Sequence, residues 1–226
     1  MLRAAAMIHL REFGDASERQ SGTLWHAPLF LSRLVPYRMV MPSPRTDWTV
    51  DMVDALDDDG QRYELIDGEL FVTPSPIDLH QLVVGELYAL LREYLRDCFV
   101  GKPMVSPSDV RRGDRARNRV QPDVFVIRVT DGQRPPFPYE LHDLLLAVEV
   151  ASPGSRRLDY HIKRELYLRE GVGEYWVIDP DARNVLRWLG KSDPGEILSE
   201  RVEWHAPGAA RPFELELEQF FAEAFR

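Results

Sequence analysis

QPDVFVI at residues 121–127 and LLLAVEV at residues 144–150 are the stretches that decide the fold. Val124 to Ile127 and Leu144 to Val150 are apolar runs that read as β-strands. Asp123 opens the first and Glu149 sits inside the second. A carboxylate in such a run tends to be buried on one face, where an unpaired charge costs several kcal/mol. Two of them on neighbouring strands repel unless a cation, a proton or a basic group lies between them. Lys163 follows 14 residues after Glu149, in a helical stretch, and can reach the same place. Only three of the 28 Lys and Arg residues are lysine, the others being Lys102 and Lys191. In a chain that otherwise writes its positive charge as Arg, a lysine points to a need for a compact ammonium. Two strand carboxylates and one ammonium are the side chains of a metal-dependent phosphodiesterase site.

Downstream of these runs, Ser155 to Glu170 reads as helix and stops at Gly171. Glu174 to Ile178 is a predicted strand, Pro180 to Asn184 a turn, and Val185 to Leu189 its hairpin partner. The tail FELELEQFFAEAF alternates and then turns helical. Upstream, the Arg-rich segment 111–119 separates Asp123 from a predicted strand over Met104 to Val110. Leu79 to Cys98 carries leucines, valines and Tyr94 at helical spacing, the clearest helix in the chain. Before it, Arg62 to Ile66 and Glu69 to Thr73 form a predicted hairpin about Asp67-Gly68, and Pro74-Ser75-Pro76 breaks the chain. Thr49 to Leu56 is a short helix capped by Thr49. Residues 1–45 show no clean period and are expected to be an irregular or disordered extension, with the domain proper over 46–226. The order predicts a mixed α/β fold: a central mixed sheet flanked by helices.

Composition agrees with a globular chain: 44% hydrophobic and 29% charged residues over 226 positions. No apolar run approaches the ~20 residues of a membrane span, and the N-terminus lacks the continuous apolar region of a signal peptide. The single cysteine, Cys98, rules out an internal disulfide and points to a reducing cytoplasm. The net charge of −9 works against a broad grip on nucleic acid. Arg111, Arg112, Arg115, Arg117 and Arg119, and then Arg156, Arg157, Arg164 and Arg169, form local basic clusters beside the acidic site. They suit either a polyanionic substrate or a solvated surface.

Several segments together resemble the PD-(D/E)xK nuclease superfamily and, within it, the Uma2 family (DUF820), whose members are classed with restriction endonucleases. They are YELIDGE at 63–69, His80 at a helix start, Pro122-Asp123-Val124, EVASP at 149–153, DYHIKRELY at 159–167 and GEYWVID at 173–179. Each is weak alone; their order and spacing are specific. The resemblance implies a restriction-endonuclease-like core and a DNA substrate. In the superfamily's usual pattern the lysine stands two residues after the acid on the same strand, and here that position is Ala151. The Uma2 resemblance implies that the lysine has moved to the following helix, where Lys163 matches.

Asp123 and Glu149 are therefore the expected metal ligands, for Mg²⁺ or Mn²⁺, with the carbonyl of Val150 a natural third. Lys163 is expected to hold the attacking water or neutralise the transition-state charge on the phosphate, and Asp159, four residues earlier on the same helical face, to orient it. Glu86 and Glu64 compete for the role of accessory acid. His80 is expected to begin its helix or line the cleft, and Tyr175 and Trp176 to be core aromatics. Ser152 and Ser155 lack the glycine elbow and histidine of a nucleophilic serine. Two-strand cleavage by one site per chain favours a homodimer, with apolar surface available in the Trp176–Trp188 hairpin and the FELELEQFF tail. The alternative is a catalytically silent module that binds nucleic acid or protein on the same fold.

Overall fold

The computed structural model describes residues 47–57, 59–73, 78–112 and 117–226. The expected N-terminal extension, the Pro74-Ser75-Pro76 break and Arg115 lie outside the described residues. In chain order the elements are α1 (Val50–Asp54), β1 (Arg62–Ile66), β2 (Glu69–Thr73), α2 (Asp78–Cys98), β3 (Gly101–Val105), β4 (Val110–Arg111) and β5 (Arg119–Val120). They continue with β6 (Val124–Arg128), β7 (Tyr139–Glu140), β8 (Leu144–Val150), a π-helical turn (Leu158–Lys163) leading into α3 (Arg164–Arg169), and β9 (Tyr175–Asp179). The chain finishes with β10 (Asn184–Trp188), β11 (Glu196–Leu198), β12 (Arg201–Trp204), β13 (Phe213–Glu216) and α4 (Leu217–Ala224). No described helix is long and apolar enough to cross a membrane.

The central sheet has six strands in the order β11-β10-β9-β8-β6-β3. It is mixed: β8 and β9 run parallel, and the other neighbours are antiparallel. All seven residues of β8 are buried, as expected of an inner strand covered on both faces. One face packs against α2 through Val83, Leu87 and Leu91, and against Phe221 of α4 and Trp204 of β12. The other, with Phe125, Ala147 and Val177, meets Leu158 of the π-turn and Leu166 and Tyr167 of α3. Leu87 and Leu91 are fully buried, and cutting either back to alanine costs roughly 2–5 kcal/mol.

A second sheet, β2-β1-β5-β4-β7, carries the predicted hairpin. Asp67 (φ 51°) and Gly68 (φ 85°) both adopt positive φ, the signature of a type I′ turn, whose twist matches that of the flanking strands. The Thr49 cap is present, accepting from the Met52 N–H at 3.3 Å. One expectation needs correction. The strand predicted over Met104 to Val110 begins earlier, at Gly101, and ends at Val105. Pro103 disguised it, because a proline is tolerated in a strand only at a sheet edge, and β3 is an edge. The apolar residues of the Trp176–Trp188 hairpin and of the FELELEQFF tail are mostly buried within this chain's own core.

Candidate active site

The register of the central sheet brings the two strand carboxylates together. Val124 of β6 pairs with Val148 of β8 in antiparallel sense, so the next position sets Asp123 opposite Glu149. Asp123 also ties the strand ends, its Oδ2 accepting from the Val150 N–H at 2.9 Å. Both carboxylates are buried, at 3% and 1% exposure. The displaced lysine does reach Glu149. From the π-turn, Lys163 sets its Nζ 3.0 Å from Glu149 Oε1, 2.9 Å from Glu64 Oε2 and 3.8 Å from Asp159 Oδ1, with no exposed surface of its own. A π-turn widens the helix by a residue and recurs at functional sites; here it carries both Asp159 and Lys163. Tyr175 donates to the Asp159 main-chain carbonyl at 2.8 Å.

Four further side chains complete the cluster, and sequence reasoning undervalued them. Glu64 projects from β1, fully buried, its Oε1 accepting from the Gln121 N–H at 2.8 Å. Of the two candidates for an accessory acid, it is the one that joins the cluster. Glu86 is only half-buried on α2 and makes no contact with the group, and its neighbour one turn earlier, Leu82, is 46% exposed. The apolar stripe of that helix is therefore narrower than its sequence suggests. Arg62, two residues before Glu64 on the same strand, lays Nη1 2.8 Å from Asp123 Oδ1. His80 holds Asp123 Oδ2 at 3.0 Å through Nε2. Tyr167 donates to Glu149 Oε1 at 2.8 Å. The spacing Arg62-x-Glu64 on a strand was the available signal for the first two, since alternation points both side chains to one face.

Charge is unbalanced here. Among the described residues, Glu64, Asp123, Glu149 and Asp159 face only two permanent cations, Arg62 and Lys163. Burial opposes ionisation of Asp123, but Arg62 and His80 outweigh it and hold its carboxyl well below the usual range. For Glu149 burial wins over the attraction of Lys163, and the neighbouring carboxylates add to it, so its pKa rises well above the ordinary value. Burial likewise lifts Asp159 to about 6, against Lys163 and a Ser155 hydrogen bond. Lys163 is desolvated, yet Glu149, Glu64 and Asp159 keep it charged, its pKa above the ordinary lysine value.

The same facts test the site for a metal. Its two surplus negative charges match a divalent cation, and without one protons must relieve them. Glu149 Oε2 is buried with no hydrogen-bond partner among the described residues. Carboxylate oxygens beside a main-chain carbonyl are the donors a hard cation prefers. Among the described residues no three Asp, Glu, His or Cys side chains form a ready-made cage. Of the expected donors, Glu149 Oε2 is the one without a partner, which fits a cation, while Asp123 already meets Arg62, His80 and the Val150 N–H. A cleft of about 560 Å³ leads to the site, with Arg62, His80 and Asp123 among its lining residues. Glu149 and Lys163 do not line it.

The Arg clusters turn inward more than their sequence suggests. Arg111 pairs with Asp54 and Asp109, Arg112 with Glu170, and Arg119 with Asp54 and Asp109. Arg156 pairs with Asp179 and Asp181, and Arg169 with Asp67 and Glu170. Tyr175 and Trp176 are fully buried core aromatics. Ser152 and Ser155 hydrogen-bond to each other at the turn after β8.

Residues 50–218 match the family model described as "Uma2: Putative restriction endonuclease". No curated protein matches the chain. Among solved structures it is similar to that of "a putative nuclease belonging to DUF820" from Anabaena variabilis ATCC 29413. The TM-score is 0.64 at 18% identity, over 78% of this chain and 98% of that one. At that identity the likeness speaks for the fold.

Proposed function

The chain belongs to the Uma2 family, and from that premise we propose that it is a Mg²⁺- or Mn²⁺-dependent endonuclease hydrolysing phosphodiester bonds of DNA. One observation carries the proposal: Asp123 and Glu149 stand opposite each other on paired strands, with the Lys163 ammonium 3.0 Å from Glu149. Asp123, Glu149 and the Val150 carbonyl would hold the ion. When bound, such an ion offsets charge on the scissile phosphate and lowers the pKa of water. Lys163, kept charged by its carboxylate partners, contributes a fixed positive charge where negative charge grows during the reaction. Glu64 and Asp159 fix the direction of that ammonium. Tyr167, a neutral donor on Glu149 Oε1, leaves Glu149 Oε2 as the oxygen that would meet the ion. Arg62, at the cleft, holds a second permanent cation beside Asp123.

The test is cleavage of single-stranded, duplex and branched DNA by the purified full chain, with and without Mn²⁺. Asp123→Asn, Glu149→Gln and Lys163→Ala are each expected to lower cleavage by about 100-fold or more. Full activity in Asp123→Asn would place the chemistry elsewhere. Calorimetry with Mn²⁺ separates this reading from a silent binding module, which has no need to retain the ion. Duplex cleavage by one site per chain calls for a two-fold dimer, and a monomer mass by light scattering at micromolar concentration would contradict that part.

A further inference from the structure

A groove of about 1020 Å³ lies away from the carboxylates. Asp123 precedes β6 and the groove's Val129 follows it, six residues apart and so about 20 Å along the strand. Four cations line the groove, Arg92, Arg96, Lys102 and Arg134, against one acid, Glu93. Arg96 has Asp97 at 3.8 Å; Arg92, Lys102 and Arg134 are exposed, and no ion pair with a described residue engages them. That contrasts with Arg111, Arg112, Arg119, Arg156 and Arg169, each held by a carboxylate. In a chain of net charge −9, three unengaged cations around one hollow are a local reversal of sign.

A second observation stands on the groove's wall. Phe99 caps α2, its N–H donating to Leu95 O at 3.1 Å, with φ +57°. That left-handed position ordinarily goes to glycine, and a bulky residue there carries a backbone cost. Yet the ring is 78% exposed and so recovers little by burial. A strained, solvent-facing aromatic beside unengaged cations is the pairing that grips an unpaired strand, with phosphates on the cations and a base on the ring. We propose that this groove binds single-stranded nucleic acid, with its backbone along Arg92, Lys102 and Arg134 and one base stacked on Phe99. Binding there requires no metal and does not depend on the phosphodiesterase reading.

The experiment is fluorescence anisotropy of a labelled oligothymidine of about 12 nucleotides with the full chain in EDTA. Phe99→Gly is expected to weaken binding about 10-fold through lost stacking, while relief of the backbone raises the unfolding midpoint by about 2–4 °C. Neutralising Arg92, Lys102 or Arg134 to glutamine is expected to lessen the slope of log affinity against log salt by about 0.7 each. Asp123→Asn combined with Glu149→Gln retains the binding. Affinity insensitive to Phe99→Gly would reduce the groove to nonspecific anion attraction and overturn the proposal. So would binding lost in the carboxylate double variant, which would locate the strand at the other site. Absence of cleavage with binding intact would count against the nuclease reading alone.

Discussion

Lys163 exposes no surface and faces three carboxylates, so its removal would strand buried acids. Breaking a buried pair from one side typically costs about 3–5 kcal/mol, and Lys163→Met is expected to lose stability of that order. The loss should depend on pH. Glu149 and Asp159 already have raised pKa values, through burial, and without the ammonium they rise further. A raised folded-state pKa means stability that is present at low pH and lost as pH climbs through it. Urea unfolding should therefore show a larger deficit at pH 8 than at pH 5, and an equal deficit would contradict this electrostatic account. Glu174 gives a cleaner case. Burial lifts it from 4.5 to about 7, despite a hydrogen bond from Trp176 Nε1 and the nearby Arg187. The folded state then holds the extra proton between those values, and stability drains away as pH rises across them, by at most about 3 kcal/mol. Glu174→Gln keeps the indole's acceptor and removes the titration. Its stability relative to wild type should rise between pH 5 and pH 8, and a flat difference would refute the assignment.

Among the elements, the β1–β2 hairpin has the most leverage, because β1 delivers Arg62 and Glu64 to the site. Its turn depends on positive φ at Asp67 and Gly68, and a Cβ at Gly68 would run into the Arg117 guanidinium. Gly68→Ala should cost at least about 1 kcal/mol in urea unfolding and weaken Mn²⁺ binding with it, since the accessory acid loses its frame. Unchanged metal affinity in that variant would show that Glu64 is held by the Gln121 N–H and Lys163 alone. The Asp67-Gly68 pair was legible beforehand because turn chemistry is local. The π-turn was not: Ser155 to Glu170 reads as uninterrupted helix, and only packing against Glu149 and Tyr175 reveals the extra residue. β3 was misplaced for a related reason, since nothing local tells an edge strand's proline from a loop's.

At the scale of the molecule, the described core is built from Val50 onward, and the family match begins at the same residue. Deleting residues 1–40 is therefore expected to leave the urea midpoint and Mn²⁺ affinity unchanged, checked side by side with the full chain. A deletion that fails to fold would show that the extension contributes to the core. Net charge acts at this scale too. With −9 overall and many arginines held in ion pairs, broad electrostatic attraction for DNA is weak, and affinity has to come from local concentrations of positive charge.

The sequence by itself determined the strands of Asp123 and Glu149, the long helix over one face, the turn at Asp67-Gly68 and the family. These follow from hydrophobic period and from residue types whose effect is local. It also singled out Lys163, through its rarity and its place in an ordered set of motifs. Only the tertiary structure placed Glu64 rather than Glu86 beside Lys163, brought Arg62 onto Asp123, and committed most of the described flanking arginines to ion pairs. The reason is physical: which carboxylate is buried, and which cation neutralises it, depends on chains that meet across 50 or more residues. Desolvation and Coulomb energy at such contacts leave no periodic trace in the sequence.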